Sequence, residues 1–297
     1  MRYTQDTIMH TEPVLAILSG KGGTGKTLLS VNLASVAEKA TYIDCDVEEP
    51  NGNLFFKPSI AFEKIVTVKK PVVDAELCTG CHACVDFCAF NALALIGKNL
   101  MIFEEICHSC GGCMHVCPEH ALTEKDREIG ELVVGSSDQV RIISGTLNIG
   151  ESSGVPIIEE LLRYKQENIT FIDAPPGSSC LVNASISDAD FCVLVAEPTV
   201  FGRHNLEMVH ELVQLLNKPY GVVLNKTLDG PNPSEQYCLE HHIPILGSIP
   251  FDKKLGTINS QGKIAAREDA RYHALFSALL TTIRKEIDDE TTAHTQR

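Results

Sequence analysis

The chain has 297 residues, of which 44% are hydrophobic, and a formal net charge of −14. This composition suits a soluble globular protein of one or two domains, and the acidic balance argues against non-specific binding to nucleic acid. The sequence shows no apolar stretch long enough to span a bilayer, and residues 1–13 lack the apolar core of a signal peptide. We therefore expect a cytoplasmic protein with neither a nucleic-acid nor a membrane partner. Its high content of 12 cysteines indicates metal binding rather than disulfides.

The first elements predict a nucleotide-binding unit. The apolar run Val14–Leu18 predicts a buried strand, and residues 27–40 predict a helix with an apolar face. Between them lies the phosphate-binding pattern G-x-x-x-x-G-K-[ST], made of Gly20, Lys21, Gly22, Gly23, Thr24, Gly25, Lys26 and Thr27. Its glycines let backbone N–H groups approach phosphate oxygens, while Lys26 contacts the β- and γ-phosphates and Thr27 binds Mg²⁺. The sequence thus predicts a site for ATP/ADP and Mg²⁺.

The next predicted strand, residues 41–43, ends in two carboxylates, Asp44 and Asp46. Acidic side chains at a strand end beside a phosphate-binding loop favour a role in the nucleotide site, and we favour that role for Asp46. A strand-end aspartate also caps turns, so both interpretations stay open for Asp44.

Two matched cysteine runs occupy residues 72–125. Each has the spacing C-x2-C-x2-C-x3-C, which is typical of cubane iron–sulfur sites. The first run is Cys78, Cys81, Cys84 and Cys88, and the second is Cys107, Cys110, Cys113 and Cys117. The second run repeats the first after 29 residues, and an Ala-Leu pair follows the last cysteine of each run at the same offset. The repeat indicates a duplicated half-module, and it favours iron–sulfur clusters over zinc, whose ribbons use separated CxxC pairs.

The α/β pattern resumes after the cysteines. It predicts helices at residues 155–165 and 204–216 and strands at residues 169–172, 191–196, 221–224 and 245–249. Alternating strands and helices predict a doubly wound parallel sheet with right-handed crossovers, in which ligands gather at the carboxyl ends of the strands. A partly amphipathic segment at residues 272–287 predicts a packed terminal helix rather than a membrane anchor.

Lys21, just inside the glycine-rich loop, makes the sequence resemble the deviant Walker A family. That family includes septum-site (MinD) and plasmid-partition ATPases, the nitrogenase iron protein and the Mrp-type iron–sulfur carriers. The resemblance implies that ATP closes a face-to-face dimer and that Lys21 reaches the partner's phosphates. At the phosphates, the resemblance implies that Asp46 activates the attacking water, that Asp44 supports the magnesium shell and that Asp173 holds a magnesium-bound water. It also implies that the amide of Gly177 senses the γ-phosphate. At the base, it implies that Asn225 recognises the adenine and that a loop made of Pro250, Phe251 and Asp252 lines the ring.

The cysteine runs resemble bacterial two-cluster ferredoxins, in which the fourth cysteine of each run ligates the other cluster. The resemblance implies one [4Fe-4S] cluster on Cys78, Cys81, Cys84 and Cys117, and a second on Cys107, Cys110, Cys113 and Cys88. The family's usual proline follows Cys117, whereas Ala89 replaces it after Cys88.

Four cysteines remain outside the runs: Cys45, Cys180, Cys192 and Cys238. Cys45 and Cys192 lie at apolar strand positions, which predicts core packing. Cys180 follows Asp173 by seven residues, near the place where the nitrogenase iron protein carries a bridging-cluster cysteine. No second cysteine nearby completes such a site, so a metal role for Cys180 stays open.

Over nearly its whole length the chain resembles a MinD-type P-loop ATPase (residues 1–71 and 127–297) with an inserted α+β ferredoxin domain (residues 72–126). The leading hypothesis is an ATPase whose nucleotide state controls electron transfer through the two clusters. The alternatives are an iron–sulfur carrier of the Mrp type and a MinD-like positioning ATPase. Expected partners are a second subunit, identical or a sister ATPase, and a redox partner or cluster-acceptor protein.

Overall fold

The computed structural model describes residues 12–295, with side chains up to residue 290. A nine-stranded sheet in the order β11-β10-β9-β1-β8-β2-β7-β6-β3 forms its centre. The strands are β1 Val14–Leu18, β2 Ala40–Asp44, β3 Ser59–Val73, β4 Leu93–Ile96, β5 Asn99–Ile102, β6 Leu122–Ser137, β7 Val140–Leu147, β8 Ile169–Asp173, β9 Phe191–Ala196, β10 Tyr220–Thr227 and β11 Ile245–Pro250. The helices are α1 Lys26–Val36, α2 Gly52–Phe56, α3 Ala83–Phe87, α4 Gly112–His115, α5 Val155–Leu162, α6 Cys180–Ile186, α7 Val200–Leu215, α8 Pro233–Glu240, α9 Lys253–Ser260, α10 Ala265–Glu268 and α11 Ala270–Thr295.

The sheet is parallel from β11 to β7, which confirms the predicted doubly wound α/β architecture for this part. The prediction of a purely parallel sheet is wrong at one edge, where β6 runs antiparallel to β7 and β3 runs antiparallel to β6. β1, β2 and β8 are buried along their whole length, because helices cover both faces of the parallel part. Helix α1 ends at Val36 rather than at residue 40, since Ala37 is extended.

Two hydrophobic layers flank the sheet. One includes side chains of α5 to α8, and the other includes side chains of α1, α9, α10 and α11. The C-terminal helix therefore packs on the sheet, as predicted, and buries Tyr272, Phe276 and Ile283. No helix within residues 12–295 is long and apolar enough to cross a membrane, and residues 1–11, most of the segment expected to lack a signal peptide, lie outside the described part.

The packing of α11 makes a stability prediction. Phe276 is fully buried in the second layer, so Phe276→Ala removes a large side chain and leaves a cavity. We expect the free energy of unfolding to fall by about 3–5 kcal/mol, measured by chemical denaturation. Leu239→Ala on α8 is the control, because that side chain is 68% exposed; an equal loss in both variants would contradict the packing of α11.

The cysteine runs lie at the tip of a long two-stranded ribbon made of β3 and β6. The ribbon extends from Ser59↔Ser136 to Val73↔Leu122, and the short elements α3, β4, β5 and α4 lie between its two ends. Leu93, Cys113 and Leu122 are buried together at its tip. The module is therefore attached to the edge of the nine-stranded sheet through paired strands.

The 29-residue repeat is visible in the backbone. Residues one repeat apart share left-handed conformations: Gly80 with Ser109, His82 with Gly111, and Asn91 with His120. The two halves also exchange equivalent hydrogen bonds, from Asp74 N–H to Ala121 O (2.7 Å) and from Phe103 N–H to Ala92 O (2.8 Å). The two half-modules therefore have matching local structure and cross-link to each other.

Candidate nucleotide site and cysteine module

The glycine-rich loop joins β1 to α1 at the carboxyl end of the sheet. Gly23 and Gly25 have φ values of 79° and 104°, which side chains with a Cβ rarely adopt. A Cβ on Gly25 would also lie 2.1 Å from Nδ2 of Asn225. Glycine is therefore required at position 25 both by conformation and by space, and the loop keeps its N–H groups available to a phosphate.

Three carboxylates gather beside this loop. Asp44 and Asp173 are register partners at the ends of the adjacent strands β2 and β8, and Asp46 follows Asp44 by two residues. Both Asp44 and Asp173 are buried, at 1% and 2% exposure. The buried Lys26 ammonium favours the charged forms of Asp46 and Asp173. The sequence-predicted Lys26, Asp46 and Asp173 thus come together.

Burial dominates the protonation of these carboxylates. It raises the pKa of Asp44 to about 8, with the neighbouring Asp173 adding to the rise, and it raises the pKa of Asp46 to about 6. The pKa of Asp173 is also raised by burial, although Lys26 works against the rise. The Lys26 ammonium alone therefore does not offset the burial of three carboxyl groups, an arrangement that fits a divalent cation such as Mg²⁺.

These pKa shifts predict how stability varies with pH. The unfolded Asp44 carboxyl has a pKa of 3.8 and the folded one about 8, so between these values the folded chain binds the extra proton. The free energy of unfolding of the nucleotide-free protein should fall as the pH rises from about 5 to about 8, by at most about 1.4 kcal/mol per pH unit from this group. Denaturation at several pH values should show a flatter slope for Asp44→Asn, and an unchanged slope would contradict the assignment.

The contacts of Asp44 differ from those of Asp173. The Asp44 carboxylate accepts from the N–H groups of Asn51 (2.9 Å), Gly52 (2.7 Å) and Asp46 (3.2 Å), so it organises the loop after β2. Asp173 Oδ2 accepts from the Tyr42 hydroxyl at 3.0 Å, while its buried Oδ1 has no hydrogen-bond partner among the described residues. An unpartnered buried carboxylate oxygen fits a magnesium-bound water better than a purely structural role.

Lys21 is held within its own chain. Its ammonium forms a 2.9 Å ion pair with Glu197 at the end of β9 and lies 5.2 Å from the centre of the Phe201 ring. Glu197 also pairs with Lys226 at 2.6 Å, and Lys226 in turn donates to Gly23 O. Burial opposes ionisation of Glu197, but these lysine contacts hold the pKa of its carboxyl below the usual range. Sequence reasoning assigned no role to Glu197 or Lys226, although an acid directly after a buried strand was the available signal.

The remaining predicted nucleotide residues also lie at this edge. Gly177 N–H donates to Ser19 O at 2.9 Å. Asn225 is buried and its Nδ2 donates to Thr24 O at 2.7 Å. Pro250 ends β11, Phe251 is 56% exposed, and Asp252 caps α9 by accepting from Lys254 N–H at 2.7 Å. Thus Asn225 and Asp252 hold the backbone around the site, whereas the Phe251 ring is free to stack.

The cysteine module contains two cavities. One is lined by Cys78, Cys81, Cys84 and Cys117 together with residues such as Thr79 and Leu122. The other is lined by Cys88, Cys107, Cys110 and Cys113 together with residues such as Phe87 and Phe90. Each cavity therefore has three cysteines from one run and the fourth from the other.

The cysteine sulfurs accept backbone hydrogen bonds at repeat-related positions. Ala92 N–H lies 3.4 Å from Cys88 Sγ, and Ala121 N–H lies 3.3 Å from Cys117 Sγ. Burial, followed by the nearby Cys107, raises the pKa of Cys113 to about 11. Within residues 12–295, no group of three or more His, Cys, Asp or Glu side chains is placed so that it could hold a metal ion.

Of the four cysteines outside the runs, Cys45 and Cys192 pack in the core as predicted. Both are fully buried, and Cys238 is buried as well. Cys180 is exposed at the start of α6. It lines an open cavity between the ATPase body and the cysteine module, which Cys107 and Ser152 also line.

Comparison with known proteins identifies the nucleotide-binding part. A family model described as the CobQ/CobB/MinD/ParA nucleotide binding domain matches residues 15–265. The chain belongs to this family. As a member of the CobQ/CobB/MinD/ParA family it is a nucleotide-binding protein of the P-loop ATPase type.

This family member is similar to known proteins both in sequence and in three-dimensional structure. Uncharacterized protein MJ0578 of Methanocaldococcus jannaschii is 36% identical over 247 residues, which is 80% of this chain and 84% of the relative. Uncharacterized protein MJ0579 of the same organism is 31% identical over 220 residues, which is 72% of this chain and 80% of the relative. Among solved structures, the septum site-determining protein MinD of Pyrococcus horikoshii, complexed with Mg-ADP, has a TM-score of 0.55 at 17% identity, covering 92% of this chain and 96% of that chain. A complex of Cyanothece McdA with ATP has a TM-score of 0.55 at 15% identity, covering 93% of this chain and 96% of that chain; both show the shared fold.

Proposed function

We propose that this family member is an ATPase whose attached module, residues 72–126, holds two [4Fe-4S] clusters and exchanges electrons under the control of the bound nucleotide. The observation that carries the proposal is the composition of the two cavities. Each is lined by four cysteines in the crossed combination that two-cluster ferredoxins use. When bound, the clusters supply one-electron chemistry at low potential.

The donor set fits cubane clusters. A cubane offers a separate iron atom to each thiolate, so its cysteines surround a volume rather than converge on one ion as zinc ligands do. Cavities bordered by four cysteines match that requirement, and a compact group around one ion is not needed. The N–H groups of Ala92, Ser109 and Ala121, which lie near cysteine sulfurs, would stabilise thiolate charge.

At the nucleotide site, we assign the phosphates to the glycine-rich loop and Lys26, and Mg²⁺ to Thr27, with Asp173 holding one of its waters through Oδ1. Asp46 is half-buried at the edge of the same site, where it orients the attacking water. Asp44 supports the magnesium site indirectly, by fixing the loop that carries Asp46. Phe251 stacks on the base, and Asn225 contributes by fixing the loop at Thr24.

ATP binding brings two subunits together in this function, and Lys21 then leaves Glu197 for the partner's phosphates. Glu197 keeps a second lysine, Lys226, so its charge stays compensated when Lys21 departs. The exchange therefore replaces one ion pair with another rather than leaving a half-buried carboxylate without a cation. Sedimentation of the purified chain with ATP distinguishes the two candidate second subunits, a copy of this chain and a sister ATPase.

A short structural connection links the two sites. Gly177 and Cys180 lie on the segment after β8, and Cys180 lines the cavity that Cys107 also lines. On the other side of the same cavity, Ser152 Oγ donates to Cys107 O at 3.5 Å. Arg127 joins Glu151 of the ATPase body (2.7 Å) to Glu104 before the second cysteine run (3.1 Å). The segment after β8 and the Cys107 loop thus face the same cavity, and the contacts of Ser152 and Arg127 tie the Cys107 loop to the ATPase body. We infer that movement after β8 when phosphate binds alters this cavity and the position of the Cys107 loop.

The experiment that tests this function is anaerobic purification followed by iron, sulfide and EPR analysis. We expect about eight iron and eight sulfide per chain, and a reduced signal from two clusters. Stoichiometric zinc in place of iron would overturn the proposal. Incubation with an apo-protein acceptor separates electron transfer from cluster delivery, because a ferredoxin-type module retains its clusters, whereas rapid donation of intact cluster would favour the carrier function.

A further inference from the structure

Lys70 is a buried cation beside the second cavity. It lies near the end of β3 and is 2% exposed, which is rare for a lysine. Its ammonium donates to the carbonyl oxygen of Cys107, and it forms no ion pair with the described carboxylates. A buried ammonium bonded only to a neutral carbonyl is costly unless an anion lies close by.

The internal repeat provides a comparison within the same chain. One repeat of 29 residues relates Lys70 to Asn99, just as it relates Cys78 to Cys107. Asn99 is neutral and exposed at the start of β5. The position equivalent to Lys70 therefore carries no charge, and the lysine next to it, Lys98, is exposed. The loop of Cys107 has a buried cation for which the loop of Cys78 has no counterpart, although the two runs match in cysteine spacing.

Other charges near the cavities do not reproduce this difference. Lys69 and its repeat counterpart Lys98 are both exposed. Lys69 and Glu124 both line the second cavity and cancel in formal charge, while Glu119 lines the first. Lys70 lines the open cavity next to the second one and reaches the second cavity through its hydrogen bond to Cys107, which lines both. It is therefore the buried cation that distinguishes the surroundings of the second cavity from those of the first.

We propose that Lys70 is the counter-charge of the cluster held by Cys88, Cys107, Cys110 and Cys113, and that it gives this cluster a higher reduction potential than the other. The inference rests on the proposed function. A thiolate-bound cubane is anionic and gains one more negative charge on reduction, so a buried cation stabilises the reduced form more than the oxidised form. The low dielectric around a buried group strengthens this effect.

The difference in charge determines on which of the two clusters an added electron is more stable. The second cavity borders the ATPase body, because two of its lining residues, Cys107 and His108, also line the open cavity that Lys70, Ser152 and Cys180 line. The first cavity is lined only by the module and the end of the ribbon. An electron shared between the two clusters therefore resides mainly on the cluster next to the ATPase body.

The test is an EPR-monitored redox titration of the anaerobically purified full chain. We expect two separate one-electron waves. Lys70→Gln keeps a hydrogen-bond donor but removes the charge, so it should move the higher wave to more negative potential and leave the lower wave in place. Lys70→Arg keeps the charge and should retain the wild-type separation. Cys88→Ala, which removes a ligand of the same cluster, should abolish the higher wave.

Two waves at the same potential in the unmodified protein would overturn the inference. This test needs no variant, so the inference can be contradicted even if the Lys70→Gln protein folds poorly. Unchanged waves in Lys70→Gln would assign Lys70 a purely structural role, and a shift of the lower wave alone would show that it acts on the other cluster. Either result would overturn the inference. Absence of iron would instead count against the proposed function, so the two failures are distinguishable.

Discussion

Replacing Lys26 by Met should lower the rate of ATP hydrolysis by about 10²-fold or more, the loss typical when a charge-stabilising group is removed from a transition state. Lys26 is 7% exposed and begins α1 directly after the glycine-rich loop. It also opposes the raised pKa values of Asp46 and Asp173. Phosphate release by the purified protein at saturating ATP measures the effect.

Lys39→Met is the matched control for this prediction, because Lys39 is an exposed lysine in the turn between α1 and β2. It should retain wild-type turnover. A Lys26→Met protein that hydrolyses ATP within a few-fold of the wild type would contradict the assignment of the nucleotide site.

The second large effect concerns which cysteines share a cluster. If the cavities define the ligand sets, Cys78→Ala and Cys117→Ala damage the same cluster, although they belong to different runs. The double variant of these two should therefore lose about half of the bound iron, while the double variant of Cys78 and Cys88 should lose nearly all of it. Iron and sulfide content after anaerobic reconstitution, with EPR of the reduced protein, checks both outcomes.

Cys180→Ala is the control, since Cys180 lies outside both cavities that contain four cysteines. It should keep the full iron content, and a loss there would show that Cys180 takes part in a metal site. If the pair of Cys78 and Cys117 lost all iron while the pair of Cys78 and Cys88 kept half, the ligand sets would follow the runs and the crossed assignment would be wrong.

Sequence patterns predicted the parts of this fold that depend on local order. The strand β1, the glycine-rich loop and the start of α1 are contiguous, so their residues carry the whole signal. The two halves of the cysteine module were predictable for the same reason. Their cysteines recur with the same local spacing, and residues one repeat apart adopt the same backbone conformation.

Patterns failed where contacts join distant residues or where burial is low. The first half of β3 has apolar side chains such as Ile60, Phe62 and Ile65, but they stay exposed in the fold, so they mark no single buried face. The antiparallel edge of the sheet was therefore missed. The contacts among Lys21, Glu197 and Lys226 connect residues far apart in the numbering, which no local pattern encodes. The buried position of Lys70 likewise depends on the folded ribbon.

Asp44 illustrates a different limit. A carboxylate at a strand end beside a phosphate-binding loop has two physically sound roles, and sequence leaves both open. Three backbone N–H groups converge on it in the folded chain. Those bonds favour the turn-capping role for Asp44. In contrast, Oδ1 of Asp173 is buried without a hydrogen-bond partner among the described residues, so it is the carboxylate oxygen that is available to a magnesium-bound water.

The most direct measurement of the coupling between the two sites is the rate at which sodium dithionite reduces the anaerobic protein with Mg-ATP, with Mg-ADP and without nucleotide. We expect the rate with Mg-ATP to differ from the other two, and Lys26→Met to abolish the difference while keeping its iron. Three identical rates in an iron-loaded protein that hydrolyses ATP would contradict the proposal that nucleotide state controls the cysteine module.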